Sequence, residues 1–525
     1  MVTFADLRQA DLQPLQTAGQ TWRDHASAVR DLAERMNTDV AGALLASGWA
    51  GDIAEVAVAR SEQIEERFEI RAHVAELVAS VYDSAYERLW RLRWRLISAV
   101  DSAGSLGMTV REDGTVEPPP AQPWEHNLDG GVWLAERAQR AQELTEQIAR
   151  IVAEADAIDR QTAEALASLS PDDTLGLSGW QELGWDAQGL AWEYGLSSRD
   201  IPDHDDPAAN AAWWAALSEA ERAMYLAAYP RLIGGLDGLP VAVRDQANRL
   251  ALQYALGSPT LDPRSRDRAQ DLLDRLEASE YDPPEQRLHL IGYDLVDDGR
   301  AIISVGDPDT ADHTAVWVPG VNSTIDNIGG DLTRVRDLQR EADRLTRGAS
   351  GDVATVMWLG YDAPGADLSA VRGAHAEAGA PLLDSFLDGL RASHTGGADR
   401  LTVIGHSYGS TVVGEAASAG DGLAVDDIIV AGSPGMRVDK VADLQIDPRH
   451  VWAGAAEGDD VSGWMSHFAH GPEPHKESFG ANRFVVDTTG HSDYWRRGTD
   501  SLLNQARIVV GEYDRVGLEH GTPPR

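Results

Sequence analysis

The chain of 525 residues has the length of roughly three or four domains at about 150 residues each, and 43% hydrophobic with 25% charged residues is a folded protein's composition. This excludes a largely disordered, collagen-like or membrane-spanning chain. A net charge of −40, from 45 Lys and Arg against 85 Asp and Glu, repels phosphate backbones and anionic headgroups and argues against nucleic-acid binding; zero cysteines exclude disulfides, thiolate metal sites and a cysteine nucleophile.

Residues 1–16 lack the basic and apolar regions of a signal peptide, and no run of 18 or more apolar residues follows, so no transmembrane segment is expected. The compartment stays open: cytoplasmic, or reached by export without a classical signal peptide. Val29, Leu32, Met36, Val40 and Leu44 form one helical stripe; Val74, Leu77, Val81, Ala85, Leu89, Leu92, Leu96 and Val100 form another. Between them, Ser47-Gly48-Trp49-Ala50-Gly51 lets the chain reverse before Asp52 opens the second helix, which predicts an antiparallel hairpin.

On these features residues 12–104 resemble the Trp-x-Gly helical-hairpin family of type VII secretion substrates, with Trp49-x-Gly51 at the turn. That family's Tyr-x-x-x-Asp/Glu export signal is missing here: Tyr82 is followed four places on by Tyr86, and Tyr86 by Trp90. A plain packing hairpin is the competing reading.

Further along, Asp113-Gly114 predicts a tight turn in a two-stranded ribbon, and Pro118, Pro119, Pro120 and Pro123 block regular structure. Leu144, Ile148, Ile151, Ala155 and Ile158 mark a further helix that stops near Ser170-Pro171. The predicted organisation is an all-α helical hairpin or bundle over 1–171, a helical, Trp-rich connecting or cap region over 172–284, and an α/β catalytic domain over 285–525. In that last part short β-rich runs alternate with helices: Leu288–Tyr293, Ala301–Val305, Thr314–Val318, Val353–Leu359, Leu401–Ile404, Asp427–Ala431, Val451–Ala453 and Phe484–Val486. Such alternation predicts a mostly parallel sheet covered by helices, with the first two runs as an antiparallel entry hairpin.

Leu401–Ile404 runs directly into Gly405-His406-Ser407-Tyr408-Gly409 and then a helical segment. A nucleophile on a sharp strand-to-helix turn takes strained dihedrals, and glycines two before and two after leave room for the chain to fold back. As a bare string, Gly-x-Ser-x-Gly is expected roughly 0.3 times by chance in a chain this rich in glycine; the strand before and helix after give it weight. An acid and then a histidine follow in the order such a site needs. Asp459 lies after the strand Val451–Ala453, with Asp460 as the alternative and Asp459 then a helix cap; His491 lies after Phe484–Val486 and competes with His467, His470 and His475. The oxyanion donors are the amide of Tyr408 and that of Val321 or Gly320, after Val318-Pro319. No metal or organic cofactor is expected, and Asp203-His204-Asp205-Asp206 reads as a solvated loop.

These residues, with Trp358-Leu359-Gly360-Tyr361-Asp362-Ala363-Pro364, Gly432-Ser433-Pro434-Gly435, His491-Ser492-Asp493-Tyr494-Trp495 and the upstream blocks at 213–217, 234–240 and 244–249, resemble an actinobacterial α/β-hydrolase family filed as a domain of unknown function, over about residues 205–525. The resemblance implies an α/β-hydrolase fold and a Ser407, Asp459, His491 triad. Members often show Asp-Pro-Val where this chain has Asp459-Asp460-Val461. The expected function is a serine hydrolase acting on a small-molecule or lipid ester or a thioester through an acyl-enzyme. The alternative is a helical interaction or type VII secretion-associated protein, with a helical partner on the N-terminal hairpin and the hydrolase-like domain secondary or inactive.

Overall fold

The computed structural model describes every residue except 123–129, 170–176, 203–205, 348–350, 368, 397–399, 460–469 and 521–525. The predicted stop at Ser170-Pro171, the Asp203–Asp205 segment, Asp460 and His467 therefore lie outside the described residues. The chain folds into two compact units, one of Met1–Ser197 with Leu217–Ala228, the other of Ser198–Ala216 with Tyr229–Arg525.

The first unit is helical. Gln13–Arg35 leads through a π-helical stretch, Met36–Gly42, to Ala43–Ala46; Gly48 and Gly51, at φ 68° and 114°, then reverse the chain into the 54-residue helix Asp52–Ser105. The reversal needs glycine because L side chains disfavour positive φ. The second stripe is buried at Leu77, Val81, Ala85, Leu92 and Leu96, but on the first Leu32 and Val40 are 42% and 38% exposed. The first helix instead turns Ala26, Val29 and Ala33 inward, and Ala26 and Val29 meet Ala72 and Ala75 of the long helix. Small residues let the two backbones approach closely and leave bulky Leu32 outside the seam; the π-helical stretch, with more residues per turn, rotates the face again before Val40. The ribbon pairs β1 (Thr109–Val110) with β2 (Val116–Glu117). Leu144, Ile148, Ile151, Ala155 and Ile158, from the helix Gly130–Ser168, join Leu92, Leu96 and Phe4 in one apolar core.

The 172–284 stretch divides between the units. Leu177–Glu193 and Glu219–Ala228 belong to the first, and Pro207–Ala216, Val241–Gly257 and Pro263–Ser279 to the second.

The second unit is built on eight strands: β3 (Leu288–Asp294), β4 (Arg300–Val305), β5 (His313–Val318), β6 (Val353–Leu359), β7 (Arg400–His406), β8 (Asp427–Ala431), β9 (Val451–Gly454) and β10 (Asn482–Arg483). Their order is β10-β9-β8-β7-β5-β6-β4-β3, parallel from β10 to β6 and antiparallel through β4 and β3. The predicted entry hairpin forms, with Asp297 and Gly299 at positive φ in its turn. Strands β6 and β8 are buried at every position, which accounts for their unbroken apolar runs: both faces are covered. The helices Ile328–Thr346, Ala374–Ser393 and Gly409–Ser418 make the crossovers between β5, β6, β7 and β8.

The last strand lies earlier than predicted, at Asn482–Arg483, because the Asn482 amide donates to the carbonyls of Arg449 and Val451 and ties the chain to β9. Phe484 lies past that strand: its amide still donates to Ala453 O, it bridges Leu518, and its ring lies against Gly454. Register pairs Val318 with Gly405, His406 with Ala431, and Ala431 with Gly454, so the carboxyl ends of β5, β7, β8 and β9 form one rim. Among the described residues no helix is long and apolar enough to cross a membrane.

Candidate active site

Strand β7 ends at His406, and Ser407 turns the chain with φ 54° into the helix Gly409–Ser418. Both flanking glycines are sterically required. A Cβ on Gly405 would sit 2.5 Å from Ser410 Cα, and one on Gly409 only 2.1 Å from the Val318 carbonyl oxygen. The turn is pinned by the Ser407 amide donating to Ala431 O at 3.1 Å and by the Ser410 hydroxyl donating to Ser407 O at 2.6 Å. A left-handed serine that costs of order 1–3 kcal/mol is thus held by its surroundings.

A second anchor lies two strands away. Glu457, past β9, and Thr489, past β10, form a parallel bridge, and the Gly490 amide donates to Glu457 O. Asp459 and His491 each stand two residues beyond that bridge, so their side chains meet: His491 Nδ1 is 2.9 and 3.0 Å from the two Asp459 carboxylate oxygens. The Tyr494 hydroxyl donates to Asp459 Oδ2 at 2.6 Å and accepts from the Ala456 amide at 2.9 Å. Gly432, at φ 59°, underlies the pair; a Cβ there would come within 2.8 Å of Asp459 Oδ2 and 3.2 Å of His491 Cε1.

His406 links the two anchors. Its Nε2 lies 2.9 Å from the His491 carbonyl oxygen, which can only accept, so Nε2 carries the proton. Burial, and then the neighbouring His491, push its pKa down to about 3. It is therefore neutral at ordinary pH, wedged between the stacked Trp317 ring and the edge-on Trp495 ring.

Gly320 approaches Ser407 from the end of β5: a Cβ on it would lie 2.7 Å from Ser407 Cβ and 3.1 Å from Oγ. The loop is held by the Tyr361 hydroxyl donating to Pro319 O at 2.8 Å, and by Asn322, at φ 61°, whose amide donates to Pro364 O and whose Oδ1 accepts from the Ala366 amide. Among the described residues the amides of Gly320, Val321 and Tyr408 donate to no other protein group.

Ser407, His491, Gly320, Val321 and Tyr408 all line one cavity of about 480 Å³. Its wall also carries Arg334, which pairs at 2.5 Å with the buried Asp331; burial pushes the Asp331 carboxyl up to about 6 against that guanidinium. Of the competing histidines, His470 lines the same cavity with its pKa lowered by burial, and His475 pairs with Glu473. Sequence reasoning passed over Tyr494, Tyr361, Asn322 and Arg334. Tyr494 and Tyr361 lay inside the family-like blocks, but no spacing rule announced their partners.

A strand-elbow-helix turn at the carboxyl rim of a mostly parallel sheet, with an acid and a histidine in loops past later strands, defines the α/β-hydrolase class. A family model described as alpha/beta hydrolase matches residues 294–470, and a second, described as uncharacterised protein Rv0964c, matches 44–176. Uncharacterized protein Rv2079 of Mycobacterium tuberculosis is 30% identical over 371 residues, which cover 58% of this chain and 56% of that protein. The chain thus spans little more than half the length of that relative. Uncharacterized protein Rv0963c of the same species and Mb0988c of Mycobacterium bovis are each 31% identical over 194 residues, covering 35% of this chain and 72% of the relative. The chain belongs to this mycobacterial, and hence actinobacterial, α/β-hydrolase family.

Proposed function

We propose that the chain is a serine hydrolase that cleaves an ester-like bond by way of an acyl-enzyme. Ser407 Oγ attacks the carbonyl carbon and passes its proton to His491 Nε2; Asp459 keeps the Nδ1 proton on the imidazole and stabilises the imidazolium. The oxyanion takes the amide of Tyr408 and that of Val321 or Gly320, aided by the N-terminal dipole of Gly409–Ser418. Collapse breaks the bond to the leaving oxygen, which takes the proton from His491. Water then repeats the sequence and frees Ser407.

The observation that carries this reading is that His491, bonded through Nδ1 to Asp459, and Ser407, held at φ 54° on a strand-to-helix turn, line one cavity, although no hydrogen bond joins the two among the described residues. Val321, Ala370, Val371 and Pro434 in the cavity wall favour an apolar acyl group, and 480 Å³ falls in the usual range for small-molecule sites. The test is hydrolysis of p-nitrophenyl esters of increasing chain length by the full chain. Turnover is expected to pass through an optimum with chain length and to vanish in Ser407→Ala; undiminished turnover in that variant rejects the assignment.

A further inference from the structure

Among the described residues the carboxylate that orients His491 meets both that imidazole and the Tyr494 hydroxyl, and only the first belongs to the mechanism above. Tyr494 is fully buried, and its hydroxyl reaches Asp459 Oδ2 at 2.6 Å, the length of a charge-assisted O–H···O⁻ bond. The same hydroxyl accepts from the Ala456 amide, which fixes the lone pairs and aims the proton at Asp459. Its ring packs against His406 and Trp495, contacts a phenylalanine would keep.

We propose that Tyr494 is a positioning residue that sets the basicity of His491 by drawing charge from Asp459. The inference rests on the reading of Ser407, His491 and Asp459 given under Proposed function. A carboxylate that shares its charge with a phenol attracts the imidazolium less, so more of the base is neutral at a given pH. Burial and the Asp459 charge hold the Tyr494 proton well above the ordinary phenol range, so the donor persists wherever the enzyme works.

The titratable and charged groups around His491 among the described residues are Asp459 after β9, neutral His406 on β7, Tyr494 on its own loop, and, lining the same cavity, the Arg334–Asp331 pair on the helix Ile328–Thr346, Asp367 and His470. Asp331, pushed up to about 6, also titrates in the working range. It is common to parent and variant and drops out of their difference.

The test is the pH dependence of the labelling rate of the full chain by a fluorophosphonate, for the parent, Tyr494→Phe, and a protein carrying 3-fluorotyrosine at position 494. Phenylalanine removes the donor and is expected to move the acid limb up by about half to one pH unit. Fluorotyrosine, a more acidic phenol and stronger donor, moves it down. A purely structural role would alter the melting temperature and the plateau while leaving the limb in place. Coincident limbs in all three proteins overturn the proposal. Should Tyr494→Phe fail to fold, the fluorotyrosine protein decides alone, since it keeps the hydroxyl. Ser407→Ala is the control that separates the two claims: loss of labelling there with coincident limbs sinks Tyr494 alone, whereas labelling that survives it sinks the underlying reading and this inference together.

Discussion

At Gly320 the steric argument bears directly on the serine, because any side chain there would press on it. Gly320→Val must displace either the β5 loop or Ser407, since its Cβ would lie 2.7 Å from Ser407 Cβ. The expected result is a fall in kcat of about 10²–10³, the usual loss for one oxyanion donor, with the melting temperature little changed. A kcat within a few-fold of the parent would mean the loop does not serve the oxyanion. Asp331 offers a pH test with a definite sign. Its folded carboxyl holds a proton up to about 6, whereas in an unfolded chain it releases it near 3.8. The associated stability is therefore present below about 4 and lost as pH rises through 6. Asp331→Asn abolishes that titration, so its melting temperature should gain on the parent's between pH 4 and 7; parallel curves would contradict the burial argument.

The turn carrying Ser407 was legible in the sequence because its constraint is local: two glycines, an apolar strand and a helix lie within a dozen residues. Asp459 and His491 stood out for a weaker reason, their place just past strand ends in the right chain order. Tyr494 was not legible, since its partner lies 35 residues away and the contact depends on the Glu457–Thr489 bridge. Nothing in a single chain announces a register between two loops.

Among the elements, the β3–β4 hairpin at the edge of the sheet depends on one buried cation. Arg268, in the helix Pro263–Ser279, donates to Leu295 O and Asp297 O and pairs with Asp326 through two bonds of 2.7 Å. That pairing, its Arg268 hydrogen bond first, holds the Asp326 carboxyl down at about 2. Arg268→Met leaves two carbonyls without their donor, but water can reach the half-exposed Asp326. The expected cost is about 2–3 kcal/mol in urea unfolding, below the 3–5 of a fully buried pair. A change under about 0.5 kcal/mol would show that the hairpin is held by its apolar contacts alone.

Elements also show where sequence periodicity stops. The runs of β5 to β9 were readable because parallel strands buried on both faces need continuous apolar stretches. The stripe fails at Leu32 and Val40 because periodicity weights bulky residues, whereas the seam is built from Ala26, Ala72 and Ala75 around Val29. Small residues score weakly as apolar and pack closely.

For the whole molecule, the division of the chain carries the main lesson. The first unit takes back Leu217–Ala228 after the chain has entered the second, so the two are not consecutive pieces of sequence. Met224 and Tyr225 are buried on the helix Glu219–Ala228. Composition could not reveal this, because helices of the same texture lie on either side of each crossing. On the function proposed above, one serine at the rim of the sheet does the chemistry, and the distant residues Asp459 and His491 activate it.

The most direct measurement is the intact mass of the full chain after treatment with a fluorophosphonate, followed by peptide mapping. A single adduct on the peptide bearing Ser407, formed more than about a hundredfold more slowly in His491→Ala, is the predicted result. An unmodified Ser407, or labelling that proceeds at the parent's rate without the imidazole, would contradict the account.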